Sequence, residues 1–255
     1  MTWLNQVQHD HRQNKKRLAA LLDPDDLPTG RAWHQFIDRL ELSPITDVFI
    51  GGSLLVRHNV TEMMQAIRER FSGAITIFPG SPEQVVPVAD AVLFLSVISG
   101  RNPDLLIGRH VESAMRIRRM RIETIPTGYL LIGDGPLTTA AYMSQSLPIP
   151  SAKSEIAAAT AVAGEMLGMQ LMFLDAGSGA QQPAPLKAIA AIRQHTSCPL
   201  IVGGGINDAP SIQAAWHAGA DVVVIGSAIE NRPEDLSWLP DPKEYQHTST
   251  TDAII

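Results

Sequence analysis

Leu200-Ile201-Val202-Gly203-Gly204-Gly205 and, one helix length later, Val222-Val223-Val224-Ile225-Gly226-Ser227 are two apolar strands that each break into glycine. Each is followed by a helix-start signal, so two consecutive βα turns present backbone N–H groups to one shared place. In a (β/α)8 barrel the loops after strands seven and eight commonly hold a phosphate. Glycine suits that task, because without a Cβ the main chain can approach an anion while the following helix start supplies unpaired donors. Two ordinary tight turns of an α/β protein are the competing reading, and the pairing favours the phosphate site.

Working outward, short β-rich runs alternate with helical patterns, the signature of parallel strands joined by crossover helices. Strands are expected at 17–23, 47–51, 74–78, 91–97, 123–132, 170–175, 200–203 and 221–225. Helices are expected at 31–40, 61–71, 105–118, 154–167, 184–195 and 209–218, several with a capping residue, proline or glycine at an end (Ser151, Pro183, Asp208, Gly219). Continuous apolar character in most strands means that both faces are covered. A closed barrel meets that condition, and so does an open doubly wound sheet. One crossover is deficient: 79–90 is too short and too rich in proline for a full helix, which would leave a gap in an outer wall.

The 255 residues suit one large α/β domain, a single (β/α)8 TIM barrel in which the helix after strand 3 is missing or shortened. Residues 1–16 read as a helical N-terminal extension and 240–255 as a flexible tail. The segment 133–150, punctuated by glycine and proline, is either a lid or binding wall on the rim or a docked surface loop. A net charge of −6 argues against nucleic acid as a partner. The basic run Arg116-Ile117-Arg118-Arg119-Met120-Arg121 reads as a solvated or subunit-facing helix surface. Cys198 stands alone, so neither an intrachain disulfide nor a cysteine metal site is available, and a reducing cytoplasm is the natural compartment. No apolar stretch approaches the roughly 18 residues of a spanning helix, which leaves at most peripheral membrane contact.

Asp23 closes the first strand at the same barrel end as the glycine turns. A carboxylate facing a phosphate needs a cation between them, and Mg²⁺ is the natural one; a plain turn former ahead of Pro24 is the alternative. Ser53, in Gly51-Gly52-Ser53, offers a hydroxyl to metal or phosphate, or else caps a helix. Asp175 sits beside the glycine-rich stretch Ala176-Gly177-Ser178-Gly179, suited to holding a hydroxyl near an anchored phosphate, and as a general base it must lie within about 3 Å of that hydroxyl.

Asp23-Pro24-Asp25, Gly51-Gly52-Ser53, Phe173 to Ala180, Gly203-Gly204-Gly205-Ile206 and Gly226-Ser227 resemble, in order and spacing, the motifs of the geranylgeranylglyceryl phosphate synthases and their bacterial heptaprenylglyceryl phosphate synthase relatives. The similarity extends over nearly the whole chain, including Ser96 to Pro103 and Pro126 to Leu130. It implies a modified barrel lacking one outer helix. It also implies transfer of a prenyl group, geranylgeranyl foremost, from its diphosphate to the C3 hydroxyl of sn-glycerol 1-phosphate, giving an ether lipid precursor and diphosphate. By position, Asp23 and Ser53 resemble the Mg²⁺ ligands, with Asp23 and Asp175 catalytic. Phe173, Leu174, Asp175, Ala176, Gly177, Ser178, Gly179, Gly204, Gly205, Gly226 and Ser227 resemble the glycerol phosphate site.

The family usually carries Tyr-Leu-Glu where this chain has Phe173-Leu174-Asp175. The lost phenol removes a hydrogen bond worth about 0.5–1.5 kcal/mol net, and the carboxylate is one methylene shorter. Such a reaction also needs a dry apolar slot, for which Phe78, Leu95, Val97, Tyr129 and Leu131 are candidate walls or plain barrel core. Tyr129 stands out, since its ring could stabilise positive charge developing on the allyl group. Arg101 is either a diphosphate contact or a member of a surface ion pair. The resemblance, with the apolar face of 105–120, implies a homo-oligomer, a dimer or hexamer. Two other readings stand beside this one: another phosphate-anchored barrel, an isomerase or lyase with a polar pocket, and a catalytically silent barrel that binds glycerol phosphate.

Overall fold

Eight apolar strands close on one another in the computed structural model, which describes residues 1–52 and 60–245. The strands β1 (Arg17–Leu22), β2 (Asp47–Ile50), β3 (Ala74–Ile77), β4 (Ala91–Val97), β5 (Glu123–Leu131), β6 (Leu171–Asp175), β7 (Leu200–Gly203) and β8 (Val222–Ile225) pair in chain order, all parallel, and β8 returns to β1. The barrel is therefore closed and the open sheet is excluded. Around it run α1 (Trp3–Arg12), α2 (Gly30–Leu42), α3 (Val60–Arg68), α4 (Arg109–Met120), α5 (Thr139–Ser144), α6 (Ser154–Met166), α7 (Leu186–His195), α8 (Ala209–His217) and the single turn α9 (Ser227–Glu230).

Alternation along each strand sorts the apolar residues into two cores. Ala19, Phe49, Leu93, Ile125, Leu131, Leu171, Phe173, Ile201 and Val224 fill the barrel interior. Leu18, Val48, Ile75, Val92, Leu130, Met172, Leu174, Val202 and Val223 face outward, toward the helices. The N-terminal mouth is plugged by α1, whose Trp3, Leu4 and Val7 join the inner core. Trp3 Nε1 donates to Asp47 Oδ1 at 2.7 Å, Arg17 grips both oxygens of the same fully buried carboxylate, and Glu123 accepts from the Trp3 N–H at the helix start.

Between β3 and β4 there is no crossover α-helix, only the 3-10 turn Pro82–Gln84. Gln84 ties this short segment to the mouth, its Nε2 donating to the Gly52 carbonyl and its Oε1 accepting from Gly80. The glycine-rich excursion after β5 holds α5, capped by the Thr138 hydroxyl, and returns to the barrel edge through the Ile132–Ile149 bridge. At the other terminus Pro242–Tyr245 form a turn whose Tyr245 ring packs on Trp216 at 5.1 Å, so 242–245 are docked against the barrel rather than free as a tail.

Candidate active site

Parallel pairing brings every strand C-terminus to one mouth, and the residues that follow β1, β2, β6, β7 and β8 converge there. A polar cavity of about 280 Å³ is lined by Asp23, Asp26, Gly52, Phe173, Asp175, Gly177 to Gly179, Gly203 to Asn207, Gly226, Ser227 and Glu230, among others. Asp23 thus opens into the same space as both glycine turns. Positive backbone φ at Gly177, Gly204 and Gly205 (93°, 79° and 69°) lies where side chains are strained.

Asp175 ends β6 with its side chain inward and buried. Its Oδ1 accepts from the Gly177 N–H at 2.7 Å and its Oδ2 from the Tyr129 hydroxyl at 2.5 Å. Burial raises the Asp175 carboxyl above the usual range for its kind, against the opposing pull of those two hydrogen bonds. The Tyr129 ring meets Phe173 edge-on at 5.5 Å and Phe78 at 5.8 Å, making an aromatic cluster at the rim.

Asp23 is half-buried; its Oδ1 accepts from the Asp25 N–H, and its own N–H donates to Glu230 Oε1. Burial raises the Asp23 carboxyl, and the charges of Asp26 and Asp25 add to the rise. Burial first, then the charges of Asp26 and Asp23, push Glu230 up to about 7. Glu230 escaped the sequence reading, although it lies one helical turn beyond the Gly226-Ser227 bend and faces whatever that bend faces. Among the described residues, no three His, Cys, Asp or Glu side chains converge into a metal cage.

A second cavity, about 760 Å³, starts at the mouth and continues where the crossover helix is absent. Inner-core residues Tyr129, Val97 and Leu93 line one part, and outward-facing Val85, Val92, Phe94 and Ile117 line the other, with Ala140 and Met143 of α5 alongside. The proline-rich gap has become an apolar groove over the barrel wall. Polar side chains interrupt it, among them Glu83, Gln84, Arg109 and His110, whose Nε2 lies 3.2 Å from Ser96 Oγ and whose pKa burial lowers. The two cavities share Gly52, Phe78, Tyr129 and Ala140 as a common wall. The 133–150 excursion therefore walls both cavities through α5.

Most of the expected site residues meet here, with exceptions of clear cause. Leu174 points outward into the helix-facing core, because strand alternation turns it away from Phe173 and Asp175. Ala176 lies off the cavity wall, and its N–H is spent on the Gly203 carbonyl. Leu131 is sealed in the inner core away from the groove, whereas Phe78, Leu95, Val97 and Tyr129 line it. Arg101 folds back onto the carbonyls of Ile98, Ser99 and Gly100 and reaches neither cavity. Ser53 lies outside the described residues.

The chain is a closed parallel (β/α)8 barrel whose glycine-lined cavity opens into a larger groove over the barrel wall. Residues 11–238 match the PcrB family, and the chain belongs to it. It is 44% identical over 227 residues, 89% of each chain, to a geranylgeranylglyceryl phosphate synthase of Chitinophaga pinensis, and 37% identical to one of Pyrococcus furiosus over 88% of each. The crystal structure of the (S)-3-O-geranylgeranylglyceryl phosphate synthase of Thermoplasma acidophilum in complex with sn-glycerol-1-phosphate superposes with a TM-score of 0.87 at 28% identity, covering 95% of this chain and 96% of that one.

Proposed function

We propose that this prenyltransferase joins an isoprenoid diphosphate, geranylgeranyl diphosphate foremost, to the C3 hydroxyl of sn-glycerol 1-phosphate, releasing diphosphate and a prenylglyceryl phosphate for ether lipid synthesis. The observation that carries the reading is the shared wall: a polar cavity with bare glycine turns meets an apolar groove at Gly52, Phe78, Tyr129 and Ala140. An isomerase or lyase acting on a phosphorylated sugar would have no use for such a groove.

In this reading Gly177, Ser178, Gly179, Gly204, Gly205, Gly226 and Ser227 hold the phosphate by close main-chain approach. Anchoring then fixes the alcohol beside Asp175 and the allylic carbon beside Tyr129, turning a two-body encounter into an oriented one. Asp175 is the base on which the proton balance of the step ends. Burial, which raises its pKa, makes it a stronger base than an exposed aspartate. The groove, through Phe78, Leu95 and Tyr129, takes the chain and excludes water from the allylic carbon, and the Tyr129 ring faces the charge that develops there.

Mg²⁺ fits the acidic end. Asp23, Asp26 and Glu230 bring hard oxygen donors to one cavity, and two of them are raised by burial and mutual repulsion, which a cation relieves. With no three-residue cage among the described residues, Asp23 and Ser53 would hold the ion together with diphosphate oxygens, the usual manner for Mg²⁺. When bound it supplies charge neutralisation for the departing diphosphate. We also assign the exposed stripe Ile107, Val111 and Met115, each more than 60% accessible, to self-association as a dimer or hexamer. Charge substitutions at Val111 and Met115 should shift the mass in light scattering to that of a monomer.

The test is incubation of the pure protein with sn-glycerol 1-phosphate, Mg²⁺ and prenyl diphosphates of several lengths. Ether product with matching diphosphate release is expected; tight glycerol phosphate binding without product from any length favours the silent barrel instead.

A further inference from the structure

The Tyr129 hydroxyl has one hydrogen-bond partner given by the geometry, Asp175 Oδ2 at 2.5 Å, and the residue stands where the two cavities meet. Asp175 lines the polar cavity and not the groove, so the ring spans the boundary with its hydroxyl at the polar end. Both carboxylate oxygens are already engaged, Oδ1 by the Gly177 N–H and Oδ2 by the phenol. Neither neighbour in the aromatic cluster, Phe78 or Phe173, carries a hydroxyl. A phenol that donates to a carboxylate keeps lone pairs with which to accept.

We infer that Tyr129 is a catalytic residue, a proton relay that takes the C3 hydroxyl proton of the glycerol phosphate while passing its own to Asp175. The inference rests on the prenyl transfer proposed above and deepens it. The C3–OH proton moves to Tyr129 Oη as the Tyr129 proton moves to Asp175 Oδ2. The electron pair left on the C3 oxygen forms the bond to C1 of the prenyl chain, while the C1–O bond breaks and its pair departs with diphosphate. Tyr129 ends as it began, a neutral phenol, and Asp175 holds one proton that it returns to water as products leave.

Two features of this chain make the relay necessary. The aspartate side chain is short, so the phenol supplies the reach from the carboxylate to the boundary where the alcohol meets the allylic carbon. Phe173 provides no second hydroxyl for the task. Burial, reinforced by the charge of Asp175 and the bond to it, holds the Tyr129 hydroxyl well above its ordinary pKa, so a free phenolate is not the base and the two proton movements are coupled.

Tyr129→Phe keeps the ring and deletes the relay. Its single-turnover rate is expected to fall about 10²-fold or more, the usual scale of general acid–base catalysis, with glycerol phosphate affinity by calorimetry and the melting temperature retained. Adding Asp175→Glu to Tyr129→Phe lengthens the carboxylate and should recover roughly tenfold of the lost rate. A proton inventory in mixed H2O and D2O should be curved, with two protons in flight, for the parent protein. A rate for Tyr129→Phe within about threefold of the parent overturns the relay, as does a linear inventory for the parent. Should Tyr129→Phe fail to fold, the parent inventory alone decides. Absence of ether product from the parent itself is the separate failure of the proposed transfer.

Discussion

Gly52 approaches Asp23 so closely that a Cβ built on it would fall 2.1 Å from Asp23 Oδ2 and 2.7 Å from its Cγ. The carboxyl cannot simply swing aside, since Oδ1 accepts from the Asp25 N–H and the Asp23 main chain is tied to Glu230. Gly52→Ala should therefore displace the carboxyl and lower turnover nearly as far as Asp23→Asn. Both variants should lose roughly 10²-fold in rate, about 2.7 kcal/mol of charge stabilisation, with unchanged circular dichroism. Full activity in Asp23→Asn would refute the metal assignment.

Gly204 has a φ of +79°, and a Cβ there would lie 2.5 Å from both Asp175 Oδ1 and the Gly177 nitrogen. Gly226 differs, its nearest neighbour being the Leu21 carbonyl oxygen at 3.5 Å, an ordinary contact. Calorimetry should find Gly204→Ala weaker for sn-glycerol 1-phosphate by tenfold or more, about 1.4 kcal/mol, and Gly226→Ala much nearer the parent.

Glu230 ties stability to pH. Unfolded, it ionises near 4.5; folded, near about 7, so across that window the native state holds the extra proton. Stability contributed by this group is present at low pH and falls as pH rises toward 7. Glu230→Gln keeps an oxygen for the Asp23 N–H and removes the charge. Measured without divalent cations, its melting temperature should exceed the parent's at pH 8, and the two should converge below pH 4.5. Equal melting at pH 8 contradicts this account.

Trp3 secures the plug beneath the barrel through its bond to Asp47 and its edge contact with Phe49 at 5.7 Å. Trp3→Ala empties a site that is 97% buried and strands part of a buried carboxylate. Denaturant unfolding should show a loss of about 3–5 kcal/mol, and Trp3→Phe a smaller one.

The sequence reading and the structure agree on all eight strands to within one residue. Continuous apolar runs ending in glycine are a strong signal when both faces are covered. Pro79, Pro82 and Pro87 announced the missing helix, because each removes a donor that a helix would need. Where the site went unread, the reason is register. Leu131 pairs with Asp175, and Tyr129 with Phe173, across β5 and β6; this brings the Tyr129 hydroxyl to Asp175, and nothing within either strand specifies it. Leu174 lies inside the Phe173–Gly179 motif, yet strand alternation alone turns it away from the cavity. Glu230 sits just past the Gly226-Ser227 turn, where a lone glutamate gives no signal of its own, and α5 lies inside a stretch whose glycine and proline read as loop.

The central claim is that the C3 oxygen of the anchored glycerol phosphate attacks the allylic carbon. The most direct measurement supplies sn-glycerol 1-phosphate labelled with ¹⁸O at C3, together with prenyl diphosphate and Mg²⁺, and weighs both products. The account predicts that the ether lipid keeps the label and the diphosphate has none. Label in the diphosphate, or its loss from the lipid, would contradict it.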